Sequence, residues 1–192
     1  VSDGAGSIYL CRITSMDGSV VVADILSKGS DSAEAPIEIT LFQAYPKSDK
    51  LEFIIQKAVE LGASKIVPFE SSRCIKRPKA DKAQDRKARL ERIAWEAAKQ
   101  CGRGYVPPVS PTVSFENALA RAAKADLALV CYEDEKGTTI KQVLQKENAD
   151  KISTISVMIG SEGGFSAKEI ERAVSCGLVP VSLGKRILRT ET

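Results

Sequence analysis

Residues 152–159 read ISTISVMI, residues 160–166 read GSEGGFS, and residues 167–169 read AKE. The first run is apolar and β-branched, of the length of a buried strand. Gly160, Gly163 and Gly164 then make a loop whose backbone can take positive φ or approach a ligand closely. Ser166 and Glu169 form S-x-x-E, a capping box at the head of a helix that runs to Cys176-Gly177. Strand, glycine-rich loop and capped helix in direct succession form the unit from which α/β sheets are built.

The unit recurs on both sides. Downstream, Val179–Leu183 reads as a last strand, followed by Gly184–Arg189 within the run SLGKRILRTET, residues 182–192. Gly184 can end that strand, and Thr190 can cap a final helix. Upstream, Asp126–Tyr132 is a buried strand, with helices over Ser114–Lys124 and Thr138–Glu147. Leu90, Ile93, Ala94, Ala97, Ala98 and Cys101 recur at helical spacing and stop at Gly102. Lys65–Phe69 reads as a short strand. Ser48 can cap a helix carrying Leu51, Ile54, Ile55, Ala58 and Leu61, with Gly62 as its stop. The alternation predicts a mostly parallel sheet with helices on both faces over residues 46–192. Ligands of such sheets bind at the loops leaving the carboxyl ends of the strands, here Gly160–Phe165 and Gly184–Arg189.

Residues 1–45 differ. Ile8–Ile13, Val20–Ile25 and Ile37–Ala44 are β-branched runs separated by the turn formers of residues 16–19 and 28–32. They predict three strands of a small antiparallel barrel, too few for an independent domain. The chain is expected to begin inside that barrel.

Composition narrows the chemistry. The 192 residues are 43% hydrophobic and 28% charged, as in an ordinary globular protein. No apolar run reaches the length of a membrane span, and no signal peptide pattern opens at Val1, so a cytoplasmic protein is expected. There is no histidine, which removes Ser-His-Asp and Cys-His catalysis, zinc–histidine sites and imidazole acid–base chemistry. The five cysteines are scattered and form no C-x-x-C pair, so they are expected to be reduced and mostly buried, and no metal site is expected. Lys and Arg exceed Asp and Glu by 28 to 25, a balance too even to prove a nucleic-acid partner. The densest basic run is Arg73 to Arg92, with Lys76, Arg77, Lys79, Lys82, Arg86, Lys87 and Arg89 between. It reads either as a solvated loop and helix face or as a patch that tracks phosphates.

The two loops also have two readings each when taken singly. GSEGGFS can be a tight structural turn, and Ile187 and Leu188 can belong to the core. Neither G-x-G-x-x-G nor G-x-x-x-x-G-K-[ST] is present, and Glu162 would repel a pyrophosphate, so a loop that binds here takes a neutral or cationic ligand.

Together the loops carry a resemblance. GSEGGFS followed by SLGKRILRTET resembles the bacterial 16S ribosomal RNA (uracil-N3)-methyltransferase family of the SPOUT superfamily, whose pattern is G-P-E-G-G and then S-L-G-x-R-I-L-R-x-E-T. Lys47–Glu52 leading into Gln56–Gly62 is similar to the family's K-x-x-K/R…QKxxELG helix. Glu96–Arg103 followed by Val106-Pro107 is similar to its E-A-A-x-Q-x-x-R…P element. These motifs span Lys47–Thr192, and the one departure is Ser161 in place of Pro. The resemblance implies a SPOUT domain with a C-terminal trefoil knot, preceded by a PUA-like β-barrel that binds RNA and suits residues 1–45. It implies S-adenosylmethionine as cofactor, a uridine N3 of 16S ribosomal RNA or the small subunit as substrate, and a homodimer. Another RNA site or transfer RNA is the alternative substrate. A non-catalytic RNA-binding or ribosome-assembly factor is the alternative class.

The resemblance also assigns roles. Ile159, Gly160, Ser161, Glu162, Gly163, Gly164, Leu183, Gly184, Ile187 and Leu188 would hold the cofactor. Glu162 and Glu191 are the candidate proton acceptors, since uridine N3 must lose its proton as the methyl arrives. Arg103 and Arg189 would stabilise the negative charge developing on the uracil, or grip a flanking phosphate. Lys47, Lys50, Lys57, Arg73, Lys79, Arg86, Arg89, Gln100 and Arg103 would contact RNA.

Overall fold

The computed structural model describes residues 1–30, 34–47, 49–75, 83–147 and 151–192. Two strands, β1 (Ser7–Asp17) and β2 (Val20–Ser30), form an antiparallel ribbon turned at Gly18 and Ser19. Then follow β3 (Glu38–Ala44), α1 (Lys50–Glu60), β4 (Lys65–Glu70), α2 (Ala83–Cys101), β5 (Val113–Ser114), α3 (Phe115–Ala122), β6 (Leu127–Cys131), α4 (Ile140–Lys146), β7 (Thr154–Ile159), α5 (Ala167–Ser175) and β8 (Val179–Val181). Strands β3 to β8 make one six-stranded sheet, every pair parallel, in the order β5-β4-β3-β7-β6-β8.

The expected three-stranded barrel over residues 1–45 is corrected. Strands β1 and β2 form a two-stranded sheet of their own, and β3 is a central strand of the parallel sheet between β4 and β7. The boundary at residue 45 therefore cuts the sheet domain. The reason is that a β-branched run specifies a pleated strand but not its partner. The end of β3 (Phe42, Gln43 and Ala44) is buried, which suits a strand flanked on both sides.

Both faces of the sheet are covered, and the period of two decides which side chain goes where. On β6, Leu127 and Leu129 pack with Val143 of α4, while Ala128 and Val130 join the larger core on the other face. On β7, Met158 joins the larger core, and Ser156 on the same face donates to the Ala122 carbonyl of α3. Helices start where the sequence carries caps. Ser114 accepts from the Asn117 N–H, and Thr139 with Gln142 and Ser166 with Glu169 form complete capping boxes. Ser48, the expected cap of α1, lies outside the described residues, and Asp49 stands at the cap position without a side-chain bond. All five cysteines are free; Cys74 is the buried one and Cys101 is exposed, so the expectation of mostly buried thiols is corrected. No helix among the described residues is long and apolar enough to cross a membrane.

The order of strands creates one special place. Strand β3 leads by α1 to β4 on one side, whereas its neighbour β7 leads by α5 to β8 on the other. The exit loops of two adjacent strands diverge there, which opens a crevice at their carboxyl ends.

Candidate functional site

The loop after β7 lines that crevice. Gly164 N–H donates to the Ser161 carbonyl at 2.9 Å, closing a turn over residues 161–164. Gly164 takes φ +63°, and a Cβ there would meet the Glu133 carboxylate at 3.1 Å. A Cβ on Gly160 would lie 3.0 Å from the Gly164 backbone. Phe165 then anchors the end of the loop, its ring stacked 6.3 Å from Phe69 and tilted 6.4 Å from Phe115. Ser161, where the family has Pro, is buried and donates from Oγ to the Arg73 carbonyl at 3.3 Å. A hydroxyl anchor thus stands in for the rigidity of a proline.

The neighbouring elements hold this loop from three sides. From β3, the Gln43 amide donates to the Gly160 carbonyl at 3.3 Å and to the Thr190 hydroxyl at 2.9 Å. The Thr190 hydroxyl donates to the Gly160 carbonyl at 2.6 Å, so it ties the last segment to the glycine loop. From the loop after β4, Arg73 donates to the Gly163 carbonyl at 2.8 Å. Ser72 and Ser166 donate four hydrogen bonds to buried Glu169. Burial pushes that carboxyl up, but the four donors outweigh it and hold it below its usual value.

The third tie joins the two expected ligand loops directly. Lys50, in the first turn of α1, lies 3.3 Å from Glu162 and 3.1 Å from Glu191. The Lys47 backbone N–H adds a forked bond to Glu162 at 3.1 and 3.3 Å. Burial pushes the Glu162 carboxyl up, yet its own N–H, that of Lys47 and the Lys50 ammonium hold it below its ordinary range. Glu191 is lowered first by its own backbone N–H and then by Lys50. Lys50 is raised, chiefly by its bond to Glu191. All three therefore stay charged at neutral pH. In this arrangement Glu162 and Glu191 join the two loops through Lys50.

The other expected residues divide. Ile159 ends β7 opposite Gln43. Leu183, Ile187 and Leu188 keep 48%, 82% and 40% of their surface exposed, and Gly184 takes φ +125° between Leu183 and the rest. The reading of Ile187 and Leu188 as core is thereby corrected: they stay open to solvent. Arg189 is open as well, its guanidinium 84% exposed and 4.0 Å from Glu191.

Arg103 lies elsewhere. It follows α2 and packs at the far end of α1, about 15 Å of helix away from Lys50. Its guanidinium is 6% exposed. It donates to Glu34 at 2.8 and 2.6 Å, and to the Val59 and Ala63 carbonyls at 2.7 and 3.1 Å. Four of its donors are thus used within the protein, a structural arrangement that stands beside the catalytic and RNA-gripping roles expected of it.

The expected RNA contacts are also partly taken. Lys57 pairs with Glu60 at 2.7 Å, and Arg89 with Glu52 at 2.8 Å. Arg73 and Lys50 hold the glycine loop. Lys47 and Gln100 are exposed, and Arg86 is half-buried beside Tyr45. Lys79, with Lys76, Arg77 and Lys82, lies outside the described residues. Gln43, Glu133 and Thr190 were not legible as site residues. Gln43 reads as one more strand residue, and only the switch point gives it a role.

Fold and site define an open, parallel α/β sheet whose loops at the carboxyl ends of β3 and β7 bring together carboxylates and exposed apolar side chains. Residues 33–192 match the family model described as RNA methyltransferase domain, and the chain belongs to that family. It is 35% identical over 184 residues to the Ribosomal RNA small subunit methyltransferase E of Bacillus subtilis (strain 168), spanning 95% of this chain and 72% of that protein. A protein of the same name from Buchnera aphidicola subsp. Schizaphis graminum is 32% identical, spanning 96% and 73%. The solved Ribosomal RNA small subunit methyltransferase E of Neisseria gonorrhoeae, bound to S-adenosyl methionine, superposes with a TM-score of 0.87 at 34% identity, over 99% of this chain and 76% of that one. The motif resemblance is thus met by relatives named as small-subunit ribosomal RNA methyltransferases.

Proposed function

We propose that this chain transfers a methyl group from S-adenosylmethionine to the N3 atom of a uridine in 16S ribosomal RNA. The observation that carries the reading is the crevice at the β3–β7 switch point, where the loops at residues 160–165 and 182–191 are joined through Lys50. The residues present fit the cofactor. Gly160 and Gly164 leave space only for backbone, Leu183, Ile187 and Leu188 offer open apolar surface suited to an adenine, and Glu162, Glu191 and Glu133 suit a cation. Gln43 Oε1, fully buried and without a hydrogen-bond partner among the described residues, leaves an acceptor at the same place. When bound, the cofactor supplies an electrophilic methyl on a sulfonium.

The chain's own residues supply position and charge. Gln43 and Thr190 fix the Gly160 carbonyl, and Arg73 fixes that of Gly163, so the loop backbone is preorganised before any ligand arrives. Arg189, whose side chain is exposed in the second loop, would meet negative charge developing on the uracil oxygens. Lys47, Arg86 and the exposed Gln100 remain for the RNA backbone, and the β1–β2 ribbon adds Arg12 and Lys28. The return of residues 182–192 from edge strand β8 to Gly160 and Gln43 supports the knotted SPOUT arrangement. The homodimer and a cytoplasmic place of action follow from the family.

The test is incubation with undermethylated small-subunit RNA and methyl-labelled cofactor, followed by mass spectrometry of the nucleosides. N3-methyluridine is the expected product. Label on another nucleoside would move the target, and cofactor binding without transfer would leave a binding module. Lys50→Met should raise the Kd for S-adenosylmethionine by up to about tenfold, since a partly exposed ion-pair network is of modest strength. Lys50→Arg should recover most of that affinity. Calorimetry showing no change in Lys50→Met would remove the joining role.

A further inference from the structure

We propose that Trp95 is a stacking platform for an unpaired base of the RNA substrate, with Arg92 and Lys99 taking the phosphates on either side. The assignment rests on the RNA-directed reading above and deepens it.

Helix α2 buries Leu90, Ala94, Ala97 and Ala98 against the core and turns its other face outward. Trp95 stands on that outward face with 49% of its surface exposed. It is the one tryptophan of the chain. Leaving so large a ring half in water gives up much of the gain its burial would bring. Arg92 and Lys99, at i−3 and i+4, lie one turn before and one turn after it on the same side of the helix. Both are exposed, and neither forms an ion pair among the described residues. The Lys99 ammonium rests 5.1 Å from the indole centroid, a cation–π contact on a ring that keeps about half of its surface exposed.

The surrounding charges favour a polyanion. Glu91 is taken by Lys87 at 3.0 Å, and Arg89 by Glu52, so Glu96 is the acid that remains beside Arg92 and Lys99. An exposed aromatic between cations about 10 Å apart along a helix matches the way single strands are held: the base stacks and the phosphates meet the charges. A second copy of this chain fits less well. A two-fold contact through this face would set Arg92 and Lys99 against their own copies. The site is also separate from the crevice, since α2 carries it on its solvent side and towards its far end. It would hold a nucleotide flanking the target rather than the target itself.

Because the tryptophan is unique, its emission reports on this position alone. The full chain is titrated with single-stranded oligouridylate and, separately, with a duplex RNA of equal length, following indole fluorescence and the anisotropy of labelled RNA. Single strands should quench the emission at the same midpoint as the anisotropy change, and duplex should quench it much less. Trp95→Phe should bind within about twofold of wild type, and Trp95→Ala about tenfold more weakly, with the salt slope unchanged because no charge is lost. Arg92→Gln with Lys99→Gln should instead flatten the slope by roughly 1.4, or about 0.7 per single-strand phosphate contact. RNA binding with unaltered emission, and equal affinity in Trp95→Ala, would overturn the assignment while leaving the RNA-directed reading in place. A Trp95→Ala variant that changes only oligomeric state would overturn it in favour of a second copy. Absence of any RNA binding by the wild-type chain would overturn both.

Discussion

Arg103→Ala is expected to unfold the protein at lower temperature rather than to slow it. The guanidinium is nearly enclosed and carries a two-pronged ion pair to Glu34 together with the Val59 and Ala63 carbonyls. Removing it takes a donor from the Ala63 carbonyl, leaves the Val59 carbonyl with the Gly62 N–H, and leaves the Glu34 carboxylate without this partner, a loss of about 3 kcal/mol. For a chain of this length that lowers Tm by about 10 °C. Cofactor affinity of the folded fraction should stay within about twofold of wild type, because the site is a helix length away at the opposite end of α1. Differential scanning calorimetry beside isothermal titration separates the two effects. An unaltered Tm with turnover lowered a hundredfold would restore the catalytic role that the motif suggested.

Gly160→Val should do the reverse. The Gly160 carbonyl is held by Gln43 and Thr190, and its Cα faces the Gly164 backbone so closely that a Cβ would sit 3.0 Å away. Backbone cannot rotate aside as a long side chain can. The turn over residues 161–164 must therefore open, displacing the segment expected to meet the cofactor. Cofactor affinity should fall at least a hundredfold, as for a misplaced reacting geometry, against a stability loss of about 1–3 kcal/mol for the overpacked site. Unchanged affinity by calorimetry in a folded Gly160→Val protein would put the cofactor elsewhere.

Arg103 and Gly160 mark the limit of reading from the chain alone. Both belong to motifs that the resemblance found, and both were assigned functional roles from them. A motif records that a residue type is needed at a spacing, but whether the need is structural or chemical depends on what surrounds it. For Gly160 the surroundings are the loop itself, within five residues. For Arg103 they are Glu34 and the end of α1, 69 and 40–44 positions away in sequence.

Local order was determined by the sequence on its own. The capping boxes at Thr139 and Ser166, the stops at Gly62, Gly102 and Gly177, and the apolar faces of the helices are set by contacts within a turn or two, and the α/β alternation follows from them. The glycine loop was legible for the same reason. Only the tertiary structure decided that β3 pairs with β4 and β7 instead of the ribbon, that Gln43 and Thr190 meet at Gly160, and that Lys50 joins Glu162 to Glu191. Parallel pairing unites strands separated by a whole crossover, and β3 meets β7 across more than a hundred residues. A lysine's charge carries no sign of which carboxylate it will face. That is set when the sheet order brings residues 50, 162 and 191 to one end of the molecule, where burial and distance give the charges their partners.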